Sequence, residues 1–236
     1  MSNPIIVPLD VPGMDDARRL LDTLSPWVDR FKVGKQLFTA AGPSVVELVH
    51  SYDKRVFLDL KFHDIPNTVQ HAAASAAGLG VWMLNVHVAG GSAMLRAGRE
   101  GAGDEMLLIG VTVLTSLDEA LWAEVHGDGA LPVGDQVSRM AQVAQASGLD
   151  GVVASPREIG RIREACGDAF KIVTPGVRPA GADHGDQRRA MTPGQAIAAG
   201  ADYLVIGRPI TQADDPSEAT RTILDDVDSA RSERGA

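Results

Sequence analysis

The sequence predicts an α/β protein folded as one closed (β/α)8 barrel, the TIM-barrel architecture, with residues 1–236 forming a single catalytic domain. Three observations carry that expectation: eight short apolar runs suited to buried strands, amphipathic or Ala-rich stretches between them, and strict alternation of the two along 236 residues. Alternation implies a parallel sheet, and eight strands in one domain favour closure over an open, doubly wound sheet. The dinucleotide-binding form of that alternative is weakened further, because no Gly-x-Gly-x-x-Gly follows the first strand. No linker, low-complexity run or short repeat divides the chain.

The strands are expected, in order, at Ile5 to Leu9, Phe31 to Val33, Val56 to Leu60, Val81 to His87, Met106 to Val113, Gly151 to Val153, Lys171 to Val173 and Tyr203 to Ile206. Most are rich in the β-branched and large aliphatic residues that fill a buried sheet. The stretches between carry helical stripes, such as Val137, Met140, Ala141 and Ala144 at i, i+3, i+4 and i+7. Residues 72–95 contain no Asp, Glu, Lys or Arg and are long enough to cross a bilayer. Gly78, Gly80, Gly90 and Gly91 interrupt them, and Asn85 and His87 sit inside, so they read instead as a helix end, a strand and a helix start. Thr115 to Gly134 is expected to be a loop with a short helix, and the charged tail after Arg221 a fraying helix.

Composition narrows the function. A formal net charge of −9 gives DNA or RNA no general attraction to the chain. Cys166 is the only cysteine, which rules out an intrachain disulfide or a Cys-cluster metal site and suits a reducing cytosol. It reads as a small helix residue without a role. The segment from Met1 to Pro4 has no basic start and leads into no long apolar run, so no signal peptide is expected. His50, His71, His126 and His184 are scattered without metal-ligand spacing. A cytoplasmic protein with no membrane, nucleic-acid-polymer or metal partner is the expectation.

In a barrel, active groups lie at the C-terminal ends of the strands. There the sequence places Asp10 after the first strand, Lys32 in the second, Asp59, Lys61 and Asp64 around the end of the third, and His87 at the fourth. Thr115 and Ser116 follow the fifth, Arg178 the seventh and Gly207-Arg208 the eighth. Strand alternation puts Phe57, Asp59 and Lys61 on one face and Val56, Leu58 and Leu60 on the other. Asp64 stands just before Ile65-Pro66, where the proline reads as the first turn of a helix, so three charges gather at one strand end. Ions flanked by so much apolar sequence are costly to desolvate unless they pair or do chemistry, though a structural salt bridge remains open. Arg178 and Arg208, at adjacent strand ends beside glycine turns, favour a phosphorylated small molecule, and the 180–185 segment could close over it as a lid.

The motifs FLDLKFHDIPNTV (57–69), NVHVAGG (85–91), GVTVLTS (110–116), TPGVRP (174–179) and QRRAMTPGQAIAAGADYLVIGRPIT (187–211) together resemble the bacterial orotidine 5′-monophosphate decarboxylases, in that family's order and across nearly the whole chain. The resemblance implies cofactor-independent decarboxylation of orotidine 5′-monophosphate to uridine 5′-monophosphate, the last step of de novo pyrimidine nucleotide biosynthesis, by a homodimer with shared active sites. It implies Lys61 as proton donor with Asp59 beside it, and Asp64 and Thr68 as residues reaching into the neighbouring subunit's site. Asp10 and Lys32 match the ribose-binding pair, Lys32 also joining the charged array. Thr115 and Ser116 match the loop near the pyrimidine, and Arg178, Gln187, Gly207 and Arg208 the phosphate grip. The 116–134 region matches least well. No role follows for His63, and His87 reads as a hydrogen-bonded core histidine.

Two rivals are weighed. Metal-dependent relatives, the 3-keto-L-gulonate 6-phosphate decarboxylases and hexulose phosphate synthases, resemble this pattern but place a Glu ligand near the end of the second strand; here Phe31-Lys32-Val33-Gly34 puts a cation there. A non-catalytic nucleotide-binding protein on the same scaffold would not require the costly array of two carboxylates and Lys61.

Overall fold

The apolar runs become strands β1 (Ile5–Pro8), β2 (Arg30–Gly34), β3 (Arg55–Phe62), β4 (Met83–His87), β5 (Leu107–Val111), β6 (Gly151–Val153), β7 (Lys171–Pro175) and β8 (Tyr203–Val205). In the computed structural model, which describes residues 3–127, 129–179 and 191–234, they pair in parallel in sequence order and β1 closes on β8. The closed (β/α)8 barrel is therefore as the alternation predicts.

Strand ends differ from the expectation in an instructive way. β3 runs on to Phe62 and β7 to Pro175, past the apolar cores of their motifs. Val81 and Val113 lie outside their strands although they are 4% and 7% exposed. Apolarity reports burial, whereas ladder pairing also accepts polar residues whose side chains find partners.

Alternation along each strand divides the core in two. Ile6, Phe57, Met83, Ile109 and Val173 point inward and fill the barrel. Val56, Leu58, Leu84, Val86 and Leu108 point outward into the layer shared with the helices. Beneath the inner cluster, at the N-terminal ends of the strands, Trp82 meets Tyr203 edge-on at 5.1 Å between ring centroids. The buried Arg30 guanidinium lies 4.9 Å from the Trp82 ring and 5.4 Å from the Tyr203 ring. These cation–π contacts offset part of its desolvation, which nonetheless holds the Arg30 pKa below the ordinary value.

The charge-free 72–95 segment resolves as expected, into the end of the helix Pro66–Gly78, then β4, then a 3-10 turn (Val88–Gly90) and the helix Gly91–Ala102. Among the described residues no helix is long and apolar enough to cross a membrane. The 116–134 region carries the expected short helix, Glu119–His126, capped by the Asp118 carboxylate accepting from Leu121 N. The charged tail is a helix, Pro216–Arg234, anchored in its middle: it buries Ile223 and Val227, and Asp226 accepts from the Gly194 backbone N–H at 2.7 Å.

Candidate active site

The site is built on an irregularity in β3. Its pairing with β4 matches Leu58 to Leu84 and Phe62 to Val86, so Asp59, Leu60 and Lys61 together face the single residue Asn85. A bulge of this kind bends its strand and re-aims side chains. Here the excess is absorbed at Lys61, whose φ of 53° is in the left-handed region. Its backbone N–H donates to the Asn85 side-chain oxygen at 2.8 Å.

The charges then form an alternating chain along the cavity wall. Lys61 Nζ donates to Asp59 Oδ1 at 2.5 Å, and Lys32 Nζ lies 3.3 Å from Asp59 Oδ2 and 2.9 Å from Asp10 Oδ1. Asn85 Nδ2 donates to Asp59 Oδ1 at 2.7 Å. Burial alone pushes the Asp59 carboxyl up, but the charges of Lys32 and Lys61 and the hydrogen bonds from Lys61 and Asn85 outweigh it and hold the pKa below the usual carboxylate value. Asp59 is therefore ionised at neutral pH while only 9% exposed. Gly34, at the end of β2, leaves room for the chain: a Cβ there would lie 2.9 Å from Lys32 Nζ and 3.0 Å from Asp10 Oδ1.

The array forms one wall of a cavity of about 320 Å³ at the C-terminal mouth of the barrel. Phe57, Val111, Val153, Val173 and Val205 give it apolar surface, and Thr115, Gly176, Arg178, Gly207 and Arg208 line it as well. Carboxylates and ammoniums, an apolar surface and two guanidiniums are the complement of a phosphorylated small molecule that carries polar groups on a ring.

Of the residues singled out from sequence, Asp10, Lys32, Asp59, Lys61, Thr115, Arg178, Gly207 and Arg208 meet at this cavity. Ser116 is exposed and does not line it. Asp64 corrects the picture of three charges gathered at one strand end. It is exposed, its carboxylate accepts from the next residue's N–H at 2.7 Å, and within this chain neither lysine pairs with it. The cause is local: the left-handed Lys61 backbone redirects the chain just before β3 ends at Phe62, and the turn into Pro66 carries Asp64 to a separate surface hollow with His63, Ile65, Pro66, Ala89 and Gly90. Thr68 is exposed one turn further along that helix. Gln187 and the 180–185 segment lie outside the described residues. No role follows for Asn85 from sequence, though one signal is present: with His87 it is a polar member of the inward-facing set Met83, Asn85, His87 on β4, and it is 1% exposed.

A family model described as the orotidine 5′-phosphate decarboxylase / HUMPS family matches residues 3–223. The chain belongs to this family. Within it, a relative from Moorella thermoacetica named orotidine 5′-phosphate decarboxylase is 57% identical over 233 residues, spanning 95% of this chain and 92% of that one. A relative of the same name from Haemophilus influenzae is 52% identical over 227 residues, spanning 94% and 98%. The crystal structure of orotidine 5′-phosphate decarboxylase from Lactobacillus acidophilus superposes with a TM-score of 0.85 at 37% identity, covering 96% of this chain and 99% of that one.

Beside this family's cavity, His87 is half-buried at the end of β4, its ring centroid 5.4 Å from that of His63 at a 40° tilt. Burial lowers its pKa, and the fields of His63, Lys35 and Lys61 lower it further, so the imidazole is neutral at pH 7. Among the described residues no group of three or more His, Cys, Asp or Glu is arranged to hold a metal ion.

Proposed function

We propose that this chain decarboxylates orotidine 5′-monophosphate to uridine 5′-monophosphate, the last step of de novo pyrimidine nucleotide synthesis, with Lys61 as the proton donor. The reaction rests on family membership and on relatives at 52% and 57% identity that carry its name. The residue roles rest on one observation, the alternating Asp10, Lys32, Asp59, Lys61 array in the cavity that Arg178 and Arg208 also line.

When the bond from C6 to the carboxyl carbon breaks, carbon dioxide leaves and the electron pair stays in the ring plane, out of reach of the π system. Stabilisation must come through space. An ammonium held by Asp59 and beside the cavity supplies it, then transfers its proton to C6 and is reprotonated from solvent. Asp59, ionised and buried, accepts from Lys61 Nζ, a pairing that suits proton donation rather than Schiff-base chemistry. Lys32 and Asp10 are assigned to the ribose, Thr115 and Ser116 to the loop near the base, and Arg178, Gly207 and Arg208, with Gln187, to the phosphate. Binding energy from the remote phosphate supports closure of the site around the base.

The active unit in this reading is a cytoplasmic homodimer in which Asp64 and Thr68 of each subunit complete the other's site. The outward position of both residues supports it. The reading needs no cofactor. Incubating the purified protein with orotidine 5′-monophosphate and following the ultraviolet absorbance tests it. Conversion to the uridine product is expected and should survive a chelator; binding without conversion sinks the catalytic reading, and chelator-sensitive turnover sinks the metal-free one.

A further inference from the structure

We propose that Asn85 is a positioning residue for proton transfer, its carboxamide setting where the Lys61 ammonium stands relative to Asp59 and hence to the reacting carbon. The inference rests on the assignment of Lys61 as donor and goes beyond it.

The argument starts from the strand ladder. Because Asp59, Leu60 and Lys61 face Asn85 alone, the β3 bulge cannot be held by regular strand pairing. The Asn85 side chain substitutes for the missing partner: its oxygen accepts from the Lys61 backbone N–H at 2.8 Å and its nitrogen donates to Asp59 Oδ1 at 2.7 Å. One planar group thus ties the backbone of the donor to the carboxylate that holds the donor's charge. The Lys61 backbone needs such a tie, since a φ of 53° is unfavourable for a residue with a long side chain. Asn85 is itself fixed, being 1% exposed on a paired strand. An aspartate in its place could accept from Lys61 N but could donate to Asp59 only while protonated. Glutamine would carry the same groups on a longer arm. Asparagine is the residue that donates and accepts at this reach at every pH.

The charged groups in contact with Asn85 or its partners are Asp59 and Lys61 from β3 and Lys32 from β2, with His87 two residues further along β4 and His63 beside it. Asn85→Asp therefore places a second carboxyl against Asp59. Burial and the neighbouring charge raise the affinity of that pair for one shared proton. With the proton present the donor is restored; without it two carboxylates repel and Lys61 is drawn off its position.

The test measures kcat and KM for orotidine 5′-monophosphate across pH, together with Tm, in wild type, Asn85→Asp, Asn85→Ala and Lys61→Ala. A displacement approaching 1 Å costs roughly 100-fold in rate. Asn85→Ala is expected to lose about that in kcat while KM moves less than about 3-fold, because the phosphate grip is untouched. Asn85→Asp is expected to approach wild-type kcat at the acid end and to fall about tenfold per pH unit above the pair's apparent pKa. Wild type, which carries the same His63 and His87, is expected to lack this fall. A kcat near wild type in both Asn85 variants, with only Tm lowered, overturns the inference and leaves the donor assignment standing, as does a pH-independent loss in Asn85→Asp. Retained turnover in Lys61→Ala overturns the donor assignment and the inference with it. Should Asn85→Ala fail to fold, the near-isosteric Asn85→Asp profile decides alone.

Discussion

Gly34→Ala separates stability from activity at one atom. The glycine backbone, φ −91° and ψ 176°, is one that alanine adopts freely, so the lower entropy of the unfolded chain, worth about 0.4–1 kcal/mol, offsets the poorer N-cap that alanine makes for the helix Lys35–Ala41. The added methyl, however, meets Lys32 Nζ at 2.9 Å and Asp10 Oδ1 at 3.0 Å. Ordinary contact needs these side-chain ends to retreat by about half an ångström, which flexible side chains manage without disturbing the barrel. The retreat loosens the Lys32 to Asp10 pair at 2.9 Å and the Lys32 contact with Asp59 at 3.3 Å, the links between the assigned ribose site and the assigned reacting site. If 1 Å of misplacement costs roughly 100-fold, half of it costs about tenfold in kcat/KM. Thermal unfolding beside the ultraviolet assay reads both quantities. A variant with Tm unchanged or raised and activity down about tenfold is expected. Undiminished activity, or a loss matched by a fall in Tm, refutes the reasoning.

Lys61→Ala removes both the stabilising charge and the proton, contributions of roughly 100-fold or more each, so kcat is expected to fall by about 10⁴ or more. Uridine 5′-monophosphate should still bind by calorimetry, and turnover within tenfold of wild type counts against Lys61 as donor. Mixing inactive Lys61→Ala with inactive Asp64→Ala should restore activity, because one site of each mixed dimer is then intact; no recovery despite demonstrated subunit exchange rules out the shared site. For pH, the Asp59 pKa is depressed on folding, so its ionised form contributes stability that is present above the unfolded value of about 3.9 and lost as pH falls through the folded value. The stability difference between wild type and Asp59→Asn should accordingly hold steady from about pH 5 upward and shrink below about pH 4, measured by denaturant unfolding. A difference that widens on acidification contradicts that sign.

The barrel was legible because burial leaves a direct mark on sequence. Runs such as Ile5-Ile6-Val7 and Leu107-Leu108-Ile109 have to be apolar to fill the interior and the layer behind it. The shared face of Phe57, Asp59 and Lys61 was legible from the two-residue period of a strand, and it survives the bulge because the excess turns at Lys61. The bulge itself was not legible, since it exists only in the register between β3 and β4, and with it the part played by Asn85 was hidden. Asp64 parts from the two lysines within the chain for a related reason: its place after the strand is legible, but the direction of the turn depends on the positive φ at Lys61, which leaves no mark in the residue pattern. Loop positions leave a fainter mark than strand positions: Thr115 lines the cavity, whereas Ser116 beside it is exposed and outside the lining.

Arg30, packed against Trp82 and Tyr203 below the filled interior, closes the barrel's N-terminal end opposite the cavity mouth. On the proposed chemistry, carbon dioxide released at the inner wall departs toward the mouth by which the nucleotide came, and the nucleotide still stands in it. The gas therefore lingers beside the carbon it has just left, where recombination competes with the forward path. Commitment then depends on how soon a hydrogen reaches that carbon, so an amine stationed at arm's length makes an enclosed room workable.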